Sequence, residues 1–365
     1  MADIKTHLRE LSVAVAIGCL NTKKSFAAAY TPIGFMEIAK CTVLNDIGSA
    51  DNILSLIEFN NEHISIIDNG LLLGTHIYDK FKITSNDQII WLGNDTQKGD
   101  PVDLIIGNYS FSLKESSFIL ENMGLYKFLS LLTNKEYKRG LHVFEEFASN
   151  EYDAWFEYVW LKLINAGNWN NSYFKYSCSF SVEKNNVIFN FNDELECQVP
   201  ISISTAAQFM QNTNTKVREK VFSKWISENL KKDEVYIRLK KLCSETAGKN
   251  ICQLIKHNID ISNLARLLQF REHEYFYAKS TDNELKVFKV PCIHDYNKEI
   301  IVDNISYSVP YSQLNIITTI KNTITGNIFE IRNECRFSHG QFNGTPEAKM
   351  YYGRKGDLSI IYTAI

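Results

Sequence analysis

The sequence predicts a mixed α+β / α/β protein: a mixed sheet core flanked by helices, a helical insertion, and a β-rich C-terminal region. Three observations lead there. Between residues 88 and 115 the apolar runs Leu104 to Ile106 and Phe111 to Leu113 are short and separated by Gly107-Asn108, which is hairpin composition. From residue 140 to about 270 apolar residues recur mostly at helical spacing, and from Tyr275 onward the pattern changes to strands.

Along the chain three regions follow from these patterns: 1–135 as the core with N-terminal helices, 136–270 as a mostly helical region with a short β-hairpin, and 271–365 as the β-rich region. In the first, Ile4 to Leu20 reads as an amphipathic helix docked through Leu8, Leu11 and Val15, with Glu10 off that stripe. Ile33 to Val43, Ala50 to Glu58 and Ile64 to Tyr78 read as further helices, and Phe118 to Leu132 as the helix after the hairpin. In the second, Leu141 to Ala166 is helical and the strands Tyr173 to Val182 and Val187 to Phe191 interrupt it. In the third, strands are expected at Tyr275 to Ala278, Leu285 to Val290, Ile300 to Val309, Leu314 to Ile320, Ile328 to Phe337 and Ala348 to Tyr352.

With 365 residues, 45% of them hydrophobic, the chain can bury a sizeable core, and its net charge of −3 neither suggests a general nucleic-acid coat nor excludes a local basic surface. Charge is uneven, however. Between Lys216 and Lys256 stand eleven Lys or Arg and five Asp or Glu, so a basic helical face could neutralise phosphates, or simply be solvated. Eight scattered cysteines lack the spacing of a structural zinc site and fit reduced thiols in a cytoplasmic protein. Leu11 to Leu20 is too short to span a bilayer, so no membrane partner is expected. Walker loops, nucleophile elbows, His-Glu-x-x-His helices and dinucleotide fingerprints are absent.

The chemistry-bearing stretch is Gly99-Asp100-Pro101-Val102-Asp103-Leu104-Ile105-Ile106-Gly107, followed by Phe111-Ser112-Leu113-Lys114-Glu115. Strand alternation puts Ser112 and Lys114 on one face and Leu113 on the other. Each part has an ordinary structural reading too: Asp and Pro favour turns, and a lysine at a strand end commonly guards an edge.

In this order on adjoining strands, Pro101-Val102-Asp103 and Ser112-Leu113-Lys114 resemble the PD-(D/E)XK nuclease superfamily, which holds most type II restriction endonucleases. The resemblance covers about residues 88 to 132 and is to the variant with Ser in place of the first acidic residue of the second half-motif. It implies a restriction-endonuclease-like core, with Asp103 as a ligand of Mg²⁺ and Lys114 as the catalytic lysine. Ser112 could coordinate only weakly, so a further carboxylate is needed. Glu121, in the expected following helix, and Glu10, in the preceding one, rank together ahead of Glu115, which alternation turns away.

The resemblance implies a Mg²⁺-dependent endodeoxyribonuclease that cuts double-stranded DNA at a defined sequence, acting as a homodimer. A repair, recombination or phage nuclease with structural specificity is the same chemistry used otherwise. A catalytically silent DNA-binding or protein-interaction module is the alternative from another class. A candidate recognition element runs from Arg332 to Lys349. There Arg332 and Arg336 stand at strand spacing, followed by a polar loop with His339, Gln341 and Asn343, all types that can read bases, and then by Lys349. The same loop, with Gly340, Gly344 and Pro346, also has the composition of a plain hairpin turn.

Overall fold

The computed structural model describes residues 4–42, 55–93, 101–114, 119–137, 143–171, 176–192, 195–281, 284–295, 300–324, 326–337, 340–343, 347–352 and 363–365. In chain order it begins with α1 (Ile4–Thr22), α2 (Pro32–Thr42), α3 (Asn61–Phe81), β1 (Ile89–Trp91), β2 (Leu104–Ile106) and β3 (Tyr109–Lys114). Then come β4 (Ile119–Gly124), α4 (Leu125–Thr133), α5 (Val143–Phe147), α6 (Ser149–Ala166), β5 (Trp169–Asn171), β6 (Cys178–Val182), β7 (Asn186–Phe191) and β8 (Leu195–Pro200). After these stand α7 (Ala206–Asn212), a π-helical turn Val217–Phe222, α8 (Ser223–Asn229), α9 (Glu234–Asn258) and α10 (Ile261–Leu267). The chain closes with β9 (Tyr275–Thr281), β10 (Glu284–Val290), β11 (Ile300–Ser308), β12 (Asn315–Asn322), β13 (Ile328–Arg336), β14 (Glu347–Tyr352) and β15 (Thr363–Ala364).

These elements form a mixed α+β protein in two compact units, one of residues 1–118, 268–299 and 355–365, the other of 119–267 and 300–354. The three successive regions expected from sequence are therefore interleaved. Strands β9 and β10 leave the expected C-terminal region and join the first unit, whose six-stranded sheet has the order β1-β2-β3-β9-β10-β15. Its β1, β2 and β3 are an antiparallel meander, while β9 runs parallel to β3. A parallel neighbour needs a long crossover, and here the crossover is the chain that builds most of the second unit.

Helix α1 is buried along every residue from His7 to Cys19, not along one stripe, because α2 and α3 pack on it. From Val13 to Cys19 its residues are apolar or small all round, while the buried polar residues His7, Arg9, Glu10 and Ser12 lie in its first half. Close contact with α3 depends on two glycines: a Cβ at Gly70 would lie 2.4 Å from Cβ of Ser12, and one at Gly74 would lie 2.6 Å from Cβ of Ala16. Helix α3 starts at Asn60, whose side chain accepts a bond from the His63 N–H, and stops at Lys82 in the left-handed region. At that end Phe81 meets Phe111 and Phe276 with ring centroids 5.0 and 4.7 Å apart, tying α3 to β3 and β9. This fixes Phe111 and Leu113 on the core face of the sheet and leaves Ser112 and Lys114 on the other, as alternation predicts.

The second unit holds a five-stranded antiparallel sheet, β11-β12-β13-β14-β4, and a four-stranded one, β5-β6-β7-β8. Helix α9, capped by the Asp233 side chain on the Tyr236 N–H, packs on β11 and on α6. One expected helix is corrected here. Phe118 to Leu132 is not continuous: β4 occupies Ile119–Gly124 and pairs with β14, and α4 begins only after Gly124. Asn122 and Gly124 are weak helix formers, and an open edge on β14 supplies the ladder bonds that settle the contest. The helix expected at Ala50 to Glu58 is also absent from its described part, where residues 55–60 are a turn and irregular chain; residues 50–54 lie outside the described residues.

Candidate active site

Asp103 precedes β2, and its backbone is already paired on both sides. Its N–H donates to the Phe111 carbonyl at 2.8 Å and its carbonyl accepts from the Leu92 N–H at 3.1 Å. The carboxylate, buried at 8% exposure, accepts three bonds on Oδ2: from the Leu113 N–H at 2.7 Å, Ser112 Oγ at 3.5 Å and Lys114 Nζ at 3.5 Å. The two half-motifs thus meet through one carboxylate oxygen.

Helix α1 delivers a second carboxylate. Glu10 is 4% exposed, and its Oε2 accepts from Trp91 Nε1–H at 2.8 Å and lies 3.4 Å from His7 Nδ1. The His7 ring stands edge-on to Trp91, with centroids 5.6 Å apart, so β1 and α1 hold Glu10 between them. Burial pushes the Asp103 carboxyl up to about 6; Lys114 and the Leu113 bond pull it down, while the Glu10 carboxylate pushes it up. A buried carboxylate with another beside it takes up cations, the proton included, more readily than an exposed one.

Strand β9 adds a residue that sequence reasoning passed over. Its parallel register pairs Ser112 with Tyr277 and Lys114 with Lys279, so Lys279 stands beside Lys114 on the same face, at only 6% exposure. The signal was there in Tyr275-Phe276-Tyr277-Ala278-Lys279, whose alternation ends on a lysine as that of β3 does. Recognising it required knowing that these strands are neighbours.

Of the other candidates, Glu115 lies outside the described residues. Glu121 is on β4 of the second unit, opposite Met350, and not on a helix following the hairpin. Among the described residues no group of three or more His, Cys, Asp or Glu side chains is arranged to hold a metal ion.

The expected recognition segment separates into residues with different duties. Arg332 and Arg336 lie over the Tyr351 ring, 5.1 and 6.0 Å from its centroid, and Arg336 also pairs with Glu334 at 2.8 Å. Asn343 accepts from Arg218 Nε at 2.8 Å, which makes it a strut of its own loop. Lys349 is on β14 between Glu334 and Asn122, His339 lies outside the described residues, and Gln341 lines a cavity.

No family model, no curated protein and no solved structure matches this chain. Among the described residues no helix is long and apolar enough to cross a membrane.

Proposed function

We propose that this chain is a Mg²⁺-dependent DNA endonuclease that hydrolyses phosphodiester bonds in double-stranded DNA at a defined sequence, working as a homodimer. The observation that carries the reading is the contact of Lys114 with the buried Asp103 carboxylate, at 3.5 Å, with a second buried carboxylate, Glu10 of α1, near enough for its charge to raise the Asp103 pKa. A mixed sheet flanked by helices, with a carboxylate from the helix before it, is the core that the resemblance implies.

The donor set fits the cation. Mg²⁺ takes one or two protein carboxylates and otherwise keeps its waters, so Glu10 and Asp103 would serve as its protein ligands. When bound, such an ion acidifies a water and offsets the charge that builds on phosphoryl oxygens. The chain's own groups do the rest. Trp91 and His7 hold Glu10 in orientation, and the Leu113 N–H and Ser112 hydroxyl hold Asp103. Lys114, a compact cation, is placed to orient water or stabilise a phosphoryl oxygen, with Lys279 adding positive charge on the same face.

Supercoiled plasmid with Mg²⁺ should be cut into discrete fragments, and EDTA should stop the reaction. Asp103→Ala, Lys114→Ala and Glu10→Gln should each slow cleavage by about 100-fold or more. Smearing instead of discrete fragments would move the reading to a nuclease with structural specificity. The three bonds that already occupy Asp103 favour a second reading, the catalytically silent DNA-binding module. Intact binding without cleavage of any DNA form would establish that one and sink the enzyme.

A further inference from the structure

Two adjoining cavities in the second unit, of about 500 and 740 Å³, share Lys224, Ser227 and Gln341. They bring together the two basic or polar segments that the sequence marks separately, Lys216 to Lys256 and the loop after β13. Lys220, Lys224, Lys231 and Lys240 line this cleft against Glu219 and Glu228, four positive charges against two negative, or +2 net. The glutamates are already engaged: Glu219 pairs with Lys220 at 2.6 Å and Glu228 with Lys224 at 3.2 Å. That leaves Lys231 and Lys240 with no carboxylate partner among the described residues. Lys240 is the more telling, since it sits partly buried over the Phe337 ring, 5.6 Å from its centroid, and burial lowers its pKa.

An aromatic ring stands at the mouth. Tyr311 is fully exposed and, with Ser312, occupies the left-handed region, at φ 51° and 61°. Two successive non-glycine residues there are strained, and such strain persists only where the surroundings impose it. Helix α9 imposes it: Ser312 Oγ donates to the Ile237 carbonyl at 3.2 Å, and Ser244 Oγ donates to the Ser312 carbonyl at 3.2 Å. The opposite wall is set as firmly. Gly340, at φ 99°, packs so tightly on Ser223 that a Cβ would fall 1.8 Å from its Oγ, and Tyr152 donates its hydroxyl to the Gln341 carbonyl at 3.1 Å.

We propose that this cleft binds a nucleotide, with phosphate on Lys231 and Lys240, the base against Tyr311, and the Gln341 amide at the base edge. Lysines meet phosphate as point charges, an exposed aromatic ring stacks on any base, and the volumes are those of small-molecule sites. The nucleotide is either free or part of a strand. The inference goes beyond the cleavage reading and does not depend on it.

Fluorescence polarisation of the full chain in EDTA tests it, using a labelled single-stranded 12-mer as probe and dAMP as competitor. Lys240→Met, which keeps packing on Phe337, and Tyr311→Gly, which relieves the positive-φ strain, should each weaken 12-mer binding about tenfold. The first should also make the log–log salt slope shallower by about 0.7. Competition by dAMP marks a free nucleotide as sufficient, and binding without competition marks a nucleotide within a strand; both support the cleft if both variants lose binding. No binding of the 12-mer, or binding unchanged in either variant, overturns it. Tyr311→Gly should melt no lower than the parent, so its loss of binding is not a folding defect. Plasmid cleavage with Mg²⁺, read in parallel on both variants, keeps a failure of cleavage distinct from a failure of this cleft.

Discussion

At the residue scale, Asp103 contributes a pH dependence to the first unit. Its carboxyl goes from the ordinary 3.8 to about 6 on folding, so between those values the folded state keeps a proton that the unfolded state has released. By linkage, stability falls as pH rises through that window and the full cost is present above it. Asp103→Asn removes the cost, and its amide oxygen can still accept from the Leu113 N–H. The variant should be more stable than the parent at pH 8 by on the order of 3 kcal/mol, with the gap closing toward pH 4. Urea denaturation at both pH values measures this, and a gap independent of pH would contradict it. Mg²⁺ at pH 8 should raise the melting temperature of the parent but not of this variant.

At the element scale, the contact of α1 with α3 positions Glu10, and the glycines of α3 make that contact possible. Gly74→Leu would force a side chain into Val13 and Ala16 of α1 and should cost about 3 kcal/mol, read as a lower denaturant midpoint. Strand β9 matters for its lysine as much as for its ladder. Lys279→Met keeps the bulk and should leave the melting temperature within a few degrees while slowing plasmid cleavage about tenfold; unchanged cleavage would show that Lys279 only fills space. The bounds of these elements were largely legible. Period-2 alternation located β7, β10, β11, β12, β13 and β14 to within a residue or two, and helical spacing located α1 and α3. Strand β4 was not, because Ile119 to Leu132 is apolar enough for a helix and only the open edge of β14 makes its first part a strand.

At the scale of the whole molecule, two units share the chain discontinuously, so no cut near residue 135 yields a finished domain. A fragment of residues 1–135 would lack β9, exposing one side of β3 and removing Phe276 from the cluster of Phe81, Tyr109 and Phe111. It should show no cooperative thermal transition by circular dichroism. A cooperative melt would mean that the meander and its helices are self-sufficient.

What the sequence determined by itself was local: which segments are strands or helices, that Asp103 stands beside one strand and Lys114 on the next, and that Ser112 and Lys114 share a face. Those properties depend on side-chain period and turn composition within a few residues, and both can be read in one dimension. Where Glu10 and Glu121 lie could not be read that way. Glu10 is held by Trp91, 81 positions away, Glu121 sits on β4 of the second unit, and β9 returns beside β3 after the whole insertion. Pairing at that distance follows from which surfaces bury each other, and only the folded chain decides it.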